Sequence, residues 1–173
     1  MRKQMLAGLV LCASLLITGT ICRADGNHRF GIGANYWKTI KNIDLQNVDK
    51  NGFSWLATYQ YAPGSPLSLE TDIEYFNRGF AGTSKDVFAP QAFIILGTSL
   101  YGALGIGTYY SDGEFAHDPF YALRLGLDFP LTRSIYMDIN VNYRFNEWTN
   151  IHDMANDINS DTINIGAALR IAF

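Results

Sequence analysis

Apolar and polar residues alternate along the chain from about residue 28 to the last residue. A two-residue period is that of a β-strand, whose successive side chains point to opposite faces. The alternation is least regular in the fourth segment, where Pro90 interrupts it. The pattern predicts eight strands, at residues 29–37, 53–61, 67–76, 87–97, 100–110, 120–129, 135–145 and 163–173. At about ten residues each, such strands have the length that crosses a bilayer at a tilt.

The connections between these strands alternate in length. Short turns rich in Pro, Gly, Ser and Thr occupy 62–66, 98–99 and 130–134. Longer polar segments occupy 38–52, 77–86, 111–119 and 146–161. Outer-membrane barrels combine short periplasmic turns with long extracellular loops. The sequence therefore predicts an all-β fold, an eight-stranded antiparallel up-and-down transmembrane β-barrel with four long extracellular loops.

Two features indicate that the polar face of each strand points inward. A soluble barrel would bury its apolar face and expose a polar face rich in Lys and Glu, but here the polar face of the strands carries no lysine and several glycines. Aromatic residues also gather near strand ends, as in the interfacial girdles of membrane barrels. These aromatics are Tyr36, Trp37, Phe53, Trp55, Tyr61, Tyr75, Tyr110, Tyr121, Phe129 and Phe145.

An inward polar face places opposite charges in a narrow lumen, since eight strands leave just enough room for side chains. The charged side chains assigned to the lumen are Glu70, Asp72, Glu74, Arg124, Asp128, Asp138, Arg144 and Arg170. Strand direction places Glu70 and Arg170 near the periplasmic end, Asp72 and Arg124 midway, and Glu74 and Arg144 near the outer rim. Because paired charges tolerate a confined interior better than lone ones, we expect an ionic plug; the alternative is a loosely hydrated lumen.

The composition argues against nucleic-acid binding, and the N-terminal segment indicates export. Charged residues make up 17% of the chain and the net charge is −3, which gives no basic face for nucleic acid. Arg2 and Lys3 precede an apolar stretch at 6–17 that is too short to span a membrane. We predict a cleaved signal peptide at 1–24 and a barrel domain at 25–173. Both cysteines, Cys12 and Cys22, lie within the predicted leader.

With this leader, these strands and an aromatic C-terminal residue, residues 28–173 resemble the small eight-stranded outer-membrane β-barrel proteins, the class of the OmpA transmembrane domain and OmpX, often labelled porin family. The resemblance implies a location in the outer membrane of a Gram-negative-type cell, contact with lipopolysaccharide, and recognition by the outer-membrane assembly machinery. The C-terminal assembly signal it implies consists of Tyr143, Ile165, Leu169, Ile171 and Phe173. The class includes adhesins, enzymes and structural proteins, so the resemblance does not indicate an activity.

We expect a structural or surface-interaction protein, with a lipid A-modifying enzyme as the alternative and a narrow pore as a second. Lipid A enzymes of this class use a His and a Ser near the outer rim. In the deacylase pattern the Ser stands two residues after its His. Here the residue two positions after His117 is Pro119, and the residue two positions after His152 is Met154. The sequence therefore predicts no catalytic residue, and it predicts no cofactor or metal site.

The long loops differ in charge. Loops three and four contain no Lys or Arg, and their carboxylates are Asp112, Glu114, Asp118, Glu147, Asp153, Asp157 and Asp161. Loops one and two contain lysines and an arginine, which suit lipid phosphates. We expect loops one and two to face lipid headgroups, and loops three and four to offer an acidic surface to divalent cations or to a cationic extracellular ligand. The alternative is that all four loops are simply solvated.

Overall fold

The computed structural model describes residues 27–39, 51–64, 66–78, 80, 85–145 and 161–173. The predicted leader and parts of loops one, two and four lie outside the described residues. Among the described residues no helix is long and apolar enough to cross a membrane. The strands are β1 His28–Thr39, β2 Asn51–Tyr61, β3 Leu67–Phe76, β4 Val87–Gly97, β5 Leu100–Gly107, β6 Tyr110–Ser111, β7 Glu114–Phe115, β8 Phe120–Pro130, β9 Ile135–Phe145 and β10 Thr162–Ala172.

The eight long strands form one closed antiparallel sheet, which confirms the predicted fold class. Each pairs with its neighbours along the chain, and β1 pairs with β10 to close the barrel. The closing register places Gly33 opposite Ala168. The short turns before β3, β5 and β9 lie at one end, which we call the short-turn rim, together with the start of β1 and the end of β10. The opposite end is the long-loop rim.

The barrel is apolar outside and polar inside, the reverse of a soluble protein. Outward residues such as Ile32 and Leu125 are 67% and 65% exposed, whereas inward Glu70 and Arg170 are 1% and 0% exposed. Glycine on the inner face makes room for larger neighbours: a Cβ at Gly105 would collide with the ring of Phe93. The prediction that the polar face points inward is therefore confirmed.

The strand predicted at 100–110 is interrupted near its end. β5 ends at Gly107, and Tyr110 of β6 resumes the same register on β4, because Gly107 lies opposite Gln91 and Tyr110 lies opposite Phe88. The interruption lies beside Pro90, whose carbonyl accepts a hydrogen bond from the Thr108 N–H at 3.1 Å. Because proline has no N–H, it cannot return a hydrogen bond to β5.

Two aromatic residues assigned to the interfacial girdles are buried instead. Trp37 is 3% exposed and points inward, because it shares the parity of the inward residues of β1. Phe145 is 1% exposed, and its ring packs against those of Tyr121 and Tyr143. Among the other predicted girdle residues, Phe53 and Trp55 are the most exposed.

Close packing at the barrel seam predicts the effect of adding a methyl group to Gly31. A Cβ there would lie 2.7 Å from Arg170 Cγ and 2.7 Å from the Leu169 carbonyl oxygen, whereas one at Gly102 would have no atom within 4 Å. We expect Gly31→Ala to lower the free energy of unfolding by about 1–3 kcal/mol and Gly102→Ala to change it by less than about 0.5 kcal/mol. Urea unfolding in lipid vesicles measures both; equal losses would contradict the packing argument.

Candidate functional site

The candidate site is the barrel lumen, because the buried charged side chains converge there. β3, β8, β9 and β10 contribute the eight predicted residues, and β1 adds Arg29, which the sequence analysis did not assign to the lumen. Side chains two residues apart in a strand point to the same face. Each charged residue lies two positions from a buried residue of its own strand, so its side chain also points inward. The lumen thus collects charge from five of the eight barrel strands.

Glu70 joins two arginines from different strands. Its Oε1 accepts a hydrogen bond from Arg124 Nη1 at 2.5 Å, and its Oε2 accepts one from Arg170 Nη2 at 2.8 Å. The second terminal nitrogen of Arg124 donates to Asp72 Oδ2 at 2.7 Å. The guanidinium carbon of Arg124 also lies 3.7 Å from the ring centre of Phe93. Arg124 therefore bridges two carboxylates while an aromatic face covers it.

Near the short-turn rim, a second set of ion pairs continues from Arg170. Its Nη1 lies 3.1 Å from Asp138 Oδ2 and 3.5 Å from Asp128 Oδ1. Asp128 Oδ2 accepts a hydrogen bond from Arg29 Nη1 at 2.5 Å, and the Tyr101 hydroxyl donates to Asp138 Oδ2 at 2.6 Å. Arg170 thus connects three carboxylates in the lower half of the lumen.

Near the long-loop rim, Glu74 and Arg144 form a separate pair. Arg144 Nη2 donates to Glu74 Oε2 and, at 3.1 Å, to Gln91 Oε1. Asn35 Nδ2 donates to Glu74 Oε1 at 2.8 Å, and the Ser54 hydroxyl donates to the same oxygen. The Glu74 carboxylate is 0% exposed and accepts three donors, so its charge is well compensated.

An aromatic cluster lies above this pair. It consists of buried Trp37, Phe76, Phe80, Val87, Ala89 and Phe120, with Tyr109 packed against it. The Phe76 and Phe80 ring centres are 4.0 Å apart, and Phe80 comes from loop two rather than from a barrel strand. The Arg144 guanidinium carbon lies 5.0 Å from the Phe120 ring centre. We call this group the aromatic cap; it lies between the ionic network and the long loops.

The two described histidines lie at opposite ends of the barrel. The His28 ring lies at the short-turn rim, where its Nδ1 is 2.7 Å from the Tyr59 hydroxyl oxygen. His117 is exposed in loop three, and His152 lies outside the described residues. Within the described ranges, no group of three His, Cys, Asp or Glu side chains could hold a metal ion.

Only some of the described carboxylates in the predicted acidic surface of loops three and four are exposed to solvent. Asp112, Glu114 and Asp118 are exposed, but Asp112 forms an ion pair with Lys85 of loop two. Asp161 is 4% exposed and accepts a hydrogen bond from the Tyr143 hydroxyl at 2.8 Å, so it does not contribute to an exposed patch. The other three carboxylates, Glu147, Asp153 and Asp157, lie outside the described residues.

The residues of the implied assembly signal lie on the outer wall. Ile165, Leu169, Ile171 and Phe173 are 45–59% exposed, and Tyr143 is half-buried. The Phe173 N–H donates to the His28 carbonyl at 2.9 Å. The two rings lie 6.0 Å apart at the seam where the barrel closes.

Sequence reasoning did not identify the aromatic cap or Arg29, although parity contained both signals. Trp37, Phe76 and Phe120 have the same parity as the inward polar residues of their strands, and Arg29 has that of Gly31. Phe80 had no such signal, because it lies in a loop. A seven-residue cap was therefore only partly predictable from alternation.

Comparison with solved structures places this architecture among known barrels. The Neisserial surface protein A structure is similar with a TM-score of 0.60 and 14% identity, covering 85% of this chain and 97% of that one. OprG from Pseudomonas aeruginosa (TM-score 0.49, 14% identity, 84% and 93% covered) and Ail of Yersinia pestis (0.45, 19%, 83% and 97%) are also matched. No family model and no curated protein matches the sequence. The chain has the fold of the small eight-stranded outer-membrane barrels.

The bridging position of Arg124 predicts a large loss of stability on its removal. Arg124→Ala leaves Glu70 without one cation and Asp72 without the one cation that pairs with it among the described residues, which should lower the free energy of unfolding by about 3–5 kcal/mol. The exposed pair of Arg78 and Asp86 provides the control, because Arg78→Ala should cost at most about 1 kcal/mol. Gel mobility before and after heating, combined with urea titration, measures both.

Neutralising Asp72 tests the cause of that loss. In an Arg124→Ala background, Asp72→Asn should recover part of the lost stability, since it removes the carboxylate left unpaired beside residue 124, whereas Glu70 keeps its ion pair with Arg170. No recovery would mean that the lost guanidinium acts through packing on Phe93 rather than through charge.

Proposed function

We propose that the protein is an integral barrel of the outer membrane in a Gram-negative-type cell, with a structural or surface-interaction role and a lumen closed by its own side chains. The observation that carries this proposal is that buried ion pairs of Arg170, Arg124 and Arg144 cross the lumen and that the aromatic cap lies beyond them. No transport route or reaction is required for such a role.

The outer wall supports residence in a membrane. Its outward positions are large apolar residues, exemplified by Ile32, Leu125 and Leu100 at 64–67% exposure. An apolar surface of this extent would be unfavourable in water. The barrel strands cover eight to twelve residues each, close to the length that spans a tilted crossing.

Two consecutive barriers support closure. The ionic network occupies the lumen above a cavity of about 160 Å³ at the short-turn rim, which is lined by Arg29, Tyr101 and Asp128 among others. Most side chains of the network are almost fully buried, and buried charges that are paired have little tendency to separate. The aromatic cap then fills the outer end with apolar rings. An ion would have to separate several ion pairs and also cross an apolar layer, so we expect the barrel to act as a surface anchor rather than a pore.

Closure predicts no steady conductance from the pure protein. In planar bilayers, we expect wild-type protein to give none under conditions in which a large porin, used as positive control, conducts. Phe80→Ala removes the loop-two ring from the aromatic cap and should permit brief openings. These openings should favour cations, because the described lumen holds five carboxylates, Glu70, Asp72, Glu74, Asp128 and Asp138, against four guanidiniums, Arg29, Arg124, Arg144 and Arg170. A stable, ion-selective wild-type conductance would refute closure and favour the narrow pore.

A non-enzymatic role predicts unchanged lipid A. Mass spectra of lipid A from cells with and without the protein should be identical, with His117→Ala cells as a third sample. Loss or gain of an acyl chain that depends on the protein would support the lipid A-modifying alternative, and its persistence in His117→Ala cells would exclude that histidine from the reaction.

Lipopolysaccharide around the wall and the assembly machinery during biogenesis are the partners we propose. The exposed, outward C-terminal residues support the second, since a recognised signal must be accessible before the barrel closes. A divalent-cation site in the acidic loops has less support, because Lys85 already neutralises Asp112 and Asp161 is buried.

A further inference from the structure

The hydrogen-bond ladder between β4 and the segment after β5 is incomplete at Pro90. The Thr108 N–H donates to the Pro90 carbonyl at 3.1 Å. In an antiparallel sheet the two residues of such a pair exchange two hydrogen bonds, one in each direction. The second bond would run from residue 90 to the Thr108 carbonyl, and it cannot form because proline has no N–H. The Thr108 carbonyl is therefore left without its ladder donor.

A concavity in the outer wall lies at this interrupted pair. Its volume is about 530 Å³. The outward residues that line it include four small or compact ones, which are Thr71, Pro90, Ala92 and Thr108. Ile73 and Ile106, which are 56% and 49% exposed, stand beside them, and Pro119 of loop three borders them on the β8 side. This difference in side-chain size creates a depression along β4.

Two hydroxyl groups belong to the same concavity. Between the two rims, the described outer wall is otherwise apolar or aromatic, apart from Lys38 and Asn51 at the long-loop rim itself. The exceptions are Thr71 and Thr108, and both line the concavity. Two hydroxyls and a carbonyl without its ladder donor are thus concentrated at one place on an apolar wall.

The concavity lies just below the long-loop rim. Phe88 and Tyr110 are paired across the sheet above it, and they lie two residues from Pro90 and Thr108, respectively. Two residues correspond to about 7 Å along a strand, or about 5 Å in depth for a strand tilted as in membrane barrels. Aromatic residues of such barrels lie at the headgroup boundary. The Thr108 carbonyl is therefore at the depth where acyl chains join a lipid headgroup.

A backbone carbonyl at this depth needs a hydrogen-bond donor, because hydrocarbon supplies none. Glycerophospholipids join their acyl chains through esters, which accept hydrogen bonds but do not donate them. Lipopolysaccharide joins some of its acyl chains through amides and carries hydroxyl groups near that linkage, so it offers both N–H and O–H donors. Threonine hydroxyls both donate and accept, and they can bind the same groups. The chemistry of the concavity therefore favours lipopolysaccharide over phospholipid.

We propose that this concavity is a binding site for lipopolysaccharide, with the Thr108 carbonyl accepting a hydrogen bond from an amide or hydroxyl group at the start of an acyl chain. The chain itself lies along β4, between Ile73 and Ile106. This inference deepens the proposed contact with lipopolysaccharide and rests on the proposed location in the outer membrane. It does not depend on closure of the lumen.

Competition between two lipids tests the proposal with the whole barrel. The protein is reconstituted in vesicles of phosphatidylcholine and lipid A and extracted into mild detergent, and native mass spectrometry counts the lipids retained by each barrel. We expect the wild-type protein to retain lipid A several-fold above its proportion in the vesicles.

Substitution of Pro90 tests the role of the carbonyl. Pro90→Ala supplies the missing N–H, so the Thr108 carbonyl regains its ladder donor, and the enrichment of lipid A should fall towards the vesicle proportion. Pro130→Ala is the matched control, because Pro130 lies at the end of β8 at the short-turn rim; its enrichment should equal that of the wild type. Ala92→Phe fills the concavity and should also abolish the enrichment. Enrichment that persists in Pro90→Ala and Ala92→Phe would overturn the site.

Stability in the two kinds of vesicle provides a second readout. Pro90→Ala should raise the urea midpoint of unfolding in pure phosphatidylcholine, where the wild-type carbonyl has no lipid donor. The increase should be smaller in vesicles that contain lipid A. Pro130→Ala corrects for the change in the unfolded chain that any proline substitution causes. An equal shift in both kinds of vesicle would contradict the proposal.

The outcomes separate the site from the membrane location. A wild-type barrel that does not float with vesicles after an alkaline wash would refute the location itself. A barrel that floats with the vesicles but retains the two lipids in their vesicle proportion would refute only the lipopolysaccharide site.

Discussion

The interior of an eight-stranded barrel is too narrow for bulk water and too small for a conventional apolar core, and the other features follow from this constraint. Inward side chains must fill the space and compensate one another's charges. Arg124 and Arg170 do both, since each long side chain crosses the lumen and contacts carboxylates from other strands. Glycines on the inner face, such as Gly31 against Arg170, provide the room that these side chains need.

The same constraint explains why the outer end of the lumen is apolar. A charge placed there would lie at the boundary with the loops, where fewer strands contribute partners. The aromatic cap instead fills the space with rings, and the Arg144 guanidinium faces Phe120 and Phe76 at the junction of the two regions. Cation–π contact lets a positive charge border an apolar layer at a small cost.

Loop three continues the sheet at the long-loop rim. β6 pairs with β4 in the register of β5, because Gly107 lies opposite Gln91 and Tyr110 lies opposite Phe88. The interruption between β5 and β6 lies beside Pro90, which has no N–H to donate to the ladder. The Asp-Gly turn at Asp112 and Gly113 then joins β6 to β7 as a tight hairpin.

Alternation in the sequence determined the eight strands and the two faces of each strand, because side-chain direction in a strand depends only on parity. The absence of lysine and the glycines on the polar face then indicated that this face points inward, which assigned to the lumen its described charges except Arg29. The sequence also indicated the relative heights of Glu70, Asp72 and Glu74 along β3. The tertiary structure decided which charges meet across the lumen, that Phe80 of loop two joins the aromatic cap, and that the β5 ladder on β4 is interrupted before Tyr110 resumes it. These contacts join strands or loops that are distant along the chain, and they depend on the diameter and register of the closed barrel, which a two-residue period does not encode.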